Sequence, residues 1–396
     1  MPAGSHAVVL ASSCGRVELD VALVADETRT LTLADAGETF GAATYVPKPR
    51  AQDGKPLDVH VRWGEFDAGV VSFGQAVSVP ACETRVTLAA DGLGSFIETL
   101  APKAGERIVR AVVMTVGTDM IRIPGGHFEL GPPAGLRDEV ERKLLRDEGW
   151  PLGRTDMVDR RVPVDIRTFD IDRHEVTGEQ FVACRAAAKR KYCYDLKDCQ
   201  GNNACYLMEN EWDSTQGERT PACVLMPEEG RLLSVSKGLS SRPMNCVQRR
   251  QAEQYCKWLG KRLLTEAEWE YVARNRRSDI IQPWGMERMP PGCTENLCRL
   301  PNDVRQSVCS HPRLNTADGV CDMMSSVAEL VTPIPGLGRD PDALELTMRG
   351  GDTGALYGSY PWDHGDIERE PFGRTTAYAR ADIGFRCARD VTDDAP

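Results

Sequence analysis

The sequence predicts an α+β chain with a small all-β part at its front. Three observations predict it. Apolar and polar side chains alternate with a period of two through much of residues 1–116. Two stretches between residues 177 and 273 carry helix caps and helical apolar spacing. Fourteen cysteines, spread along the chain, suit a loop-rich fold that needs covalent staples.

The composition narrows the class. A chain of 396 residues that is 41% apolar and 27% charged is globular and long enough for two or three domains. Its formal net charge of -11 argues against nucleic acid as a partner, because phosphate contacts require a basic face. The basic run Lys189-Arg190-Lys191 is short and reads as solvated surface. No stretch approaches the roughly 18 apolar residues of a membrane span.

The even cysteine count comes without any Cys-x-x-Cys pair, which leaves zinc knuckles and thioredoxin-type sites little support. Disulfides in an oxidising compartment are the simpler account, so the expected location is periplasmic, cell-surface or secreted. The N-terminus, Met1-Pro-Ala-Gly-Ser-His, has no charged segment followed by an apolar one and reads as no signal peptide. The two expectations agree if the chain is the C-terminal part of a longer exported protein, or if its start lies further upstream.

In the N-terminal third, Val17-Glu-Leu-Asp-Val-Ala-Leu and Leu57-Asp-Val-His-Val-Arg-Trp alternate as half-buried strands do. An internal repeat aligns Pro2-Ala-Gly-Ser-His-Ala-Val-Val-Leu-Ala with Pro80-Ala-Cys-Glu-Thr-Arg-Val-Thr-Leu-Ala. On these residues, 57–116 resembles the PEGA module, a small extracytoplasmic β-domain of bacterial surface proteins, and 1–36 resembles part of a second copy that lacks its own first half. A small β-sandwich with coincidental Pro-Ala turns is the alternative. Residues 37–56, with Pro47, Lys48, Pro49 and Gly54, read as a linker. Cys14 and Cys82 are expected to pair.

Further along, Thr177 is placed to cap a helix, with Gln180 completing a capping box; that helix runs through Phe181 and Val182 to Ala188. Val247, Ala252, Tyr255, Cys256 and Leu259 form an apolar stripe at helical spacing that Gly260 ends. Thr265 caps the next helix, with Glu268 as its capping-box partner and Trp269 and Val272 facing inward. Charged residues 137–147 could form a surface helix inside an insertion, 132–160, and 194–241 reads as a second insertion. Cys184–Cys193 and Cys293–Cys298 are local pairing guesses; Cys199, Cys205, Cys223, Cys246, Cys309 and Cys321 stay open.

Five blocks, in order, resemble the formylglycine-generating-enzyme (sulfatase-modifying factor) family over residues 118–391. They are Met120-Ile-Arg-Ile-Pro-Gly-Gly, Asp172-Arg-His-Glu-Val-Thr, the run from Arg242 to Arg274, Pro283-Trp-Gly with Arg349-Gly-Gly, and Gly384-Phe-Arg-Cys-Ala-Arg. Leu264 stands where the family usually has proline. The resemblance implies the family's C-type-lectin-like α+β fold and a disulfide between Cys256 and Cys387. It also implies where copper chemistry would lie. In active members two cysteines hold Cu(I) at the fourth and ninth positions after the Gly-Gly turn, and a soft thiolate pair is what Cu(I) requires. Here those positions are Ala355 and Tyr360, and no cysteine lies between Cys321 and Cys387.

The family's calcium segment is kept only in part. Asp322-Met-Met-Ser-Ser-Val-Ala-Glu-Leu retains Glu329, places Ser326 where asparagine is usual, and replaces two tryptophans by Ala328 and Leu330. Glu329 with Ser326 could make a weakened calcium site, or Glu329 could only bond the loop backbone. No other cofactor is expected. An iron-dependent branch of the family draws its histidines from a preceding helical domain. The six histidines here (His6, His60, His127, His174, His311, His364) include no i, i+4 pair.

Arg349, Tyr357, Tyr360, Trp362 and Asp363, with the acids Asp366, Glu368 and Glu370 close by, are the candidates for a binding groove. Aromatics beside acids suit a protein, peptide or glycan ligand, and equally suit a solvated loop. The reading that follows is a non-catalytic extracytoplasmic binding or structural module. The alternative is a metal-dependent oxidoreductase with a diverged site.

Overall fold

The computed structural model describes residues 4–12, 15–24, 41–131, 161–187, 225–228, 231–235, 241–286, 306–332, 348–350 and 383–391, except single positions 116, 118, 246, 248 and 325. The chain divides into two compact units, the first ending at Arg122 and the second running from Ile123 to Thr392. Among the described residues the architecture is mainly β, and the helical content is three short helices.

All described elements of the first unit are strands. β1 (Gly4–Ser12) and β2 (Gly15–Leu23) form an antiparallel hairpin. β3 (Ala42–Ala51) pairs antiparallel with β6 (Val77–Pro80) and parallel with β9 (Arg107–Met114). β4 (Val59–Trp63) lies between β5 (Phe66–Val71) and β7 (Thr84–Ala89); β7 then pairs with β8 (Phe96–Leu100), and β8 in parallel with β10 (Met120–Ile123). The alternation read in 57–63 is present as burial: Val59, Val61 and Trp63 point into the core with Val86, Leu88 and Tyr45. Each such side chain contributes about 1.5–3 kcal/mol relative to exposure. The buried carboxylate of Glu98 is satisfied there by the Tyr45 hydroxyl at 2.6 Å and Arg110 Nε at 2.9 Å.

The repeated segments adopt one register. His6, Val8 and Leu10 oppose Val21, Leu19 and Val17, as Thr84, Val86 and Leu88 oppose Leu100, Glu98 and Phe96.

One expectation changes. Within the stretch read as a linker, Ala42–Ala51 form β3, a strand in the middle of a three-stranded sheet. Its prolines mislead as strand breakers. The Pro47 carbonyl accepts from Gly74 N–H at 2.8 Å and that of Pro49 from Leu57 N–H at 3.0 Å, so both missing N–H groups lie on the side away from β9, beyond the end of β6 pairing. The strand Met120–Ile123 pairs in parallel with β8. Met120 N–H donates to Ser95 O at 2.8 Å, and Asp119 Oδ1 accepts from Ser95 N–H and Oγ.

In the second unit, β11 (Gly126–Leu130) and β12 (Val162–Ile166) form a hairpin, and β13 (Phe169–Asp172) leads into α1 (Gly178–Ala187). The expected capping box is present: Thr177 N–H donates to Gln180 Oε1 at 2.8 Å and Gln180 N–H to Thr177 Oγ1 at 3.3 Å. β14 (Leu225–Glu228) and β15 (Arg231–Val235) pair with a bulge. α2 (Arg249–Trp258) ends as expected at Gly260, φ +66°. Lys261 N–H donates to Cys256 O and Gly260 N–H to Lys257 O, the two bonds of a Schellman motif. β16 (Arg262–Leu263) follows, then α3 (Glu266–Ala273), whose Thr265–Glu268 capping box is formed in both directions. A 3-10 turn covers Pro312–Leu314. β17 (Ala328–Leu330) lies between β18 (Met348–Gly350) and β19 (Ile383–Gly384), and β20 (Cys387–Asp390) lies between β13 and β16.

Phe181, Tyr255 and Phe385 pack ring on ring at the centre, with Val176, Leu259 and Leu263 around them. The Cys256–Cys387 disulfide joins α2 to β20 inside this cluster, as the resemblance implied. A second bond, Cys309–Cys321, settles a pairing left open by the sequence. Cys82 and Cys184 are disulfide-bonded too; their expected partners Cys14 and Cys193, the Cys293–Cys298 pair and the 137–147 helix lie outside the described residues.

Candidate functional site

The chemistry-bearing residues of the second unit converge on α3. Every residue of this helix is buried, although Glu266, Glu268 and Glu270 are among its eight. Buried carboxylates require partners, and arginines supply them. Arg349, on β18, donates from Nη2 to Glu266 at 2.6 Å and from Nη1 to Glu270 at 3.3 Å. Arg274, one turn after Glu270, donates to it at 2.6 Å and to the backbone carbonyls of Gly131, Ser278 and Ile280. Arg262 forks onto Glu268 with two bonds of 2.7 and 2.8 Å.

Below this ladder lies a second pair. Arg386 donates from Nε to Glu329 Oε2 at 2.8 Å and from Nη2 to Oε1 at 2.6 Å, and Trp269 Nε1 adds a bond to Oε2 at 3.2 Å. Arg386 also donates to the carbonyl of Cys321 at 2.9 Å. Glu175 approaches Arg386 Nη2 at 3.8 Å, and among the described residues neither of its oxygens has a hydrogen-bond partner. Burial, then the neighbouring charges of Asp322 and Glu329, push its pKa well above the carboxylate range, against the pull of Arg386. On the other side of β20, Lys261 Nζ and Asp172 pair at 2.6 Å with no exposure of the lysine side chain; burial lowers the lysine pKa and Asp172 opposes it.

Glycines let the layers touch. Gly350, φ +78°, brings β18 against Trp269, where a Cβ would meet the indole at 2.8 Å. At Gly384 a Cβ would meet the Met244 carbonyl at 2.6 Å.

This geometry relocates several sequence candidates. Arg349 is 2% exposed and holds Glu266 and Glu270. Its guanidinium bridges the two carboxylates, sharing Glu270 with Arg274, which holds it at 2.6 Å. Glu329, the calcium candidate, is 1% exposed with both oxygens held by Arg386 and Trp269. A calcium ion there would lie against a guanidinium, so these residues do not fit that ion in this arrangement. Ser326 is half-buried with φ +69°. Ala355, Tyr357, Tyr360, Trp362 and Asp363 lie outside the described residues.

For copper, the donor set decides. Ala355 and Tyr360 carry no thiol, and among the described residues no cysteine is free, so the residues present do not fit Cu(I). Among the described residues no group of three or more His, Cys, Asp or Glu side chains is disposed to hold a metal ion. Sequence reasoning missed the charged ladder. Its signal was present in Glu266, Glu268 and Glu270, three glutamates on a short helix whose other residues are alanine, valine or aromatic.

A disulfide-stapled, mainly β scaffold around a buried, arginine-braced helix is the class of protein that these features define. The chain belongs to the sulfatase-modifying factor enzyme 1-like domain family, whose model matches residues 108–391. It is 45% identical over 184 residues to the formylglycine-generating enzyme of Mus musculus, covering 44% of this chain and 45% of that one. It is 27% identical to the inactive C-alpha-formylglycine-generating enzyme 2 of Bos taurus, covering 43% and 54%. It is 30% identical to the serine/threonine-protein kinase pkn1 of Chlamydia pneumoniae, covering 43% and 21%. The chain thus spans about half or less of the length of these relatives. No helix among the described residues is long and apolar enough to cross a membrane.

Proposed function

We propose that this domain is a non-catalytic, extracytoplasmic binding or structural module. It keeps the family's scaffold, offers no copper thiols, and takes a protein, peptide or glycan ligand. The observation that carries the reading is the residue pair Ala355 and Tyr360 at the positions where active members hold Cu(I). Family relatives named both as generating enzymes and as an inactive one make either state compatible with this ancestry. Bonded cysteines support an oxidising compartment, and the strands of the first unit suit a PEGA-like spacer.

The test is a turnover assay with a cysteine-containing sulfatase peptide, Cu(I) and oxygen, run beside metal analysis and a free-thiol count on the purified chain. No formylglycine, no bound copper or iron, and near-zero thiols are expected. Turnover, or a stoichiometric metal, overturns the reading and favours a metal-dependent oxidoreductase with a diverged site.

A further inference from the structure

The Cys309–Cys321 disulfide stands against the charged core rather than within the apolar one. Cys321 is fully buried, and its backbone joins two parts of that core: its N–H donates to Arg173 O at 2.7 Å and its carbonyl accepts from Arg386 at 2.9 Å. The next residue, Asp322, accepts at Oδ2 from the N–H of Cys309 at 2.5 Å. Cys309 itself is only half-buried, on a segment tied to Ser241 by Val308 N–H at 2.9 Å and by the Ser307 hydroxyl at 2.7 Å.

Both ends of this crossing are in the left-handed region, Cys309 at φ +58° and Asp322 at φ +59°. Neither residue is glycine; aspartate enters this region more readily than most residues, whereas for Cys309 it is uncommon. The disulfide and the Cys309–Asp322 bond both hold Cys309 there. The same clamp holds Asp322 near Glu175 and Glu329, beside the guanidinium of Arg386, and the charge of Asp322 adds to the burial that raises the Glu175 pKa.

We propose that Cys309–Cys321 is a redox-sensitive latch on the charged core: its reduction by a dithiol withdraws the Cys309 N–H from Asp322 and loosens residues 320–324 against 173–175. The Cys256–Cys387 bond stays closed. A thiolate of the dithiol attacks the outer sulfur, that of Cys309, and Cys321 leaves as a thiolate that takes up a proton. The second thiol of the reagent then displaces Cys309. Two electrons and two protons pass from the dithiol to the two cysteines, and the dithiol becomes a disulfide. Cys256 and Cys387 are both fully buried and closed to that attack while the domain is folded.

The test titrates the native chain with dithiothreitol, alkylates the thiols released, and reads each cysteine by peptide mass spectrometry beside amide hydrogen exchange. Cys309 and Cys321 are expected to become alkylated at a reductant level at least about tenfold below that required for Cys256 and Cys387. Exchange is expected to rise in 306–311, 320–324 and 173–175. Alkylation of all four only together, or reduction without any rise in 173–175, overturns the proposal. Asp322→Asn, with both cysteines retained, separates charge from tether: the rise in 173–175 on reduction is expected to shrink, and an unchanged rise overturns the role of Asp322 in the latch.

Discussion

Arg386 and Glu329 meet in a two-bond ion pair, at 2.8 and 2.6 Å, with neither side chain open to solvent. Removing one partner of such a pair leaves a buried charge behind, at about 3–5 kcal/mol. Arg386→Leu is therefore expected to lose about that much stability in urea unfolding, and Arg386→Leu with Glu329→Leu to recover part of it. A single variant within about 0.5 kcal/mol of the natural chain would show that the pair is not bearing this charge.

Glu175 gives a pH signature. Its folded pKa is raised above the ordinary value of 4.5, chiefly by burial and then by Asp322. The folded state thus keeps a proton that the unfolded chain releases. The stability it contributes is fully present below the unfolded pKa and is lost as pH rises from there through the folded value. Glu175→Gln removes this loss. Its unfolding free energy is expected to exceed that of the natural chain at neutral pH and to decline less between pH 5 and 8. Parallel pH profiles for the two proteins would refute the assignment.

The Cys256–Cys387 bond closes a separation of 131 residues. A loop of that length is worth up to roughly 5 kcal/mol in the chain-entropy account. Cys256→Ser with Cys387→Ser is expected to lower the unfolding free energy by most of that amount, without changing the aromatic packing of Phe181 and Tyr255 in whatever fraction stays folded. Near-ultraviolet circular dichroism and a denaturant series read both.

Gly350→Ala places a methyl where Trp269 lies and forces an L side chain to φ +78°. A cost of about 1–3 kcal/mol is expected, together with a shift in tryptophan emission. Unaltered stability would mean that β18 and α3 do not approach as closely as the glycine allows.

What the sequence made legible was local. Thr177 with Gln180, Thr265 with Glu268, and the glycine stop at 260 obey rules that span four residues or fewer, and all three recur in the structure. Long-range facts were legible only through family resemblance, as with Cys256 and Cys387. Cys309 and Cys321 stayed open because spacing alone does not choose among many pairings. β3 was hidden because two prolines weigh against a strand unless one knows which edge they face. The burial of Arg349 was not legible because its partners, Glu266 and Glu270, lie about 80 residues earlier, on α3.

The burial of α3 on every side has a consequence for how this domain can change. Three of its eight residues are glutamates. On an ordinary surface helix they would be the positions most freely exchanged, the first choice for solubility engineering or for drift. Here each is keyed to an arginine, Glu268 to nearby Arg262, Glu270 to neighbouring Arg274, and both Glu266 and Glu270 to distant Arg349, so a substitution must be matched at its partner. A scale that equates charge with periphery would map the centre of this domain onto its rim, and a library randomised at its charged helical positions would strike its keystone first.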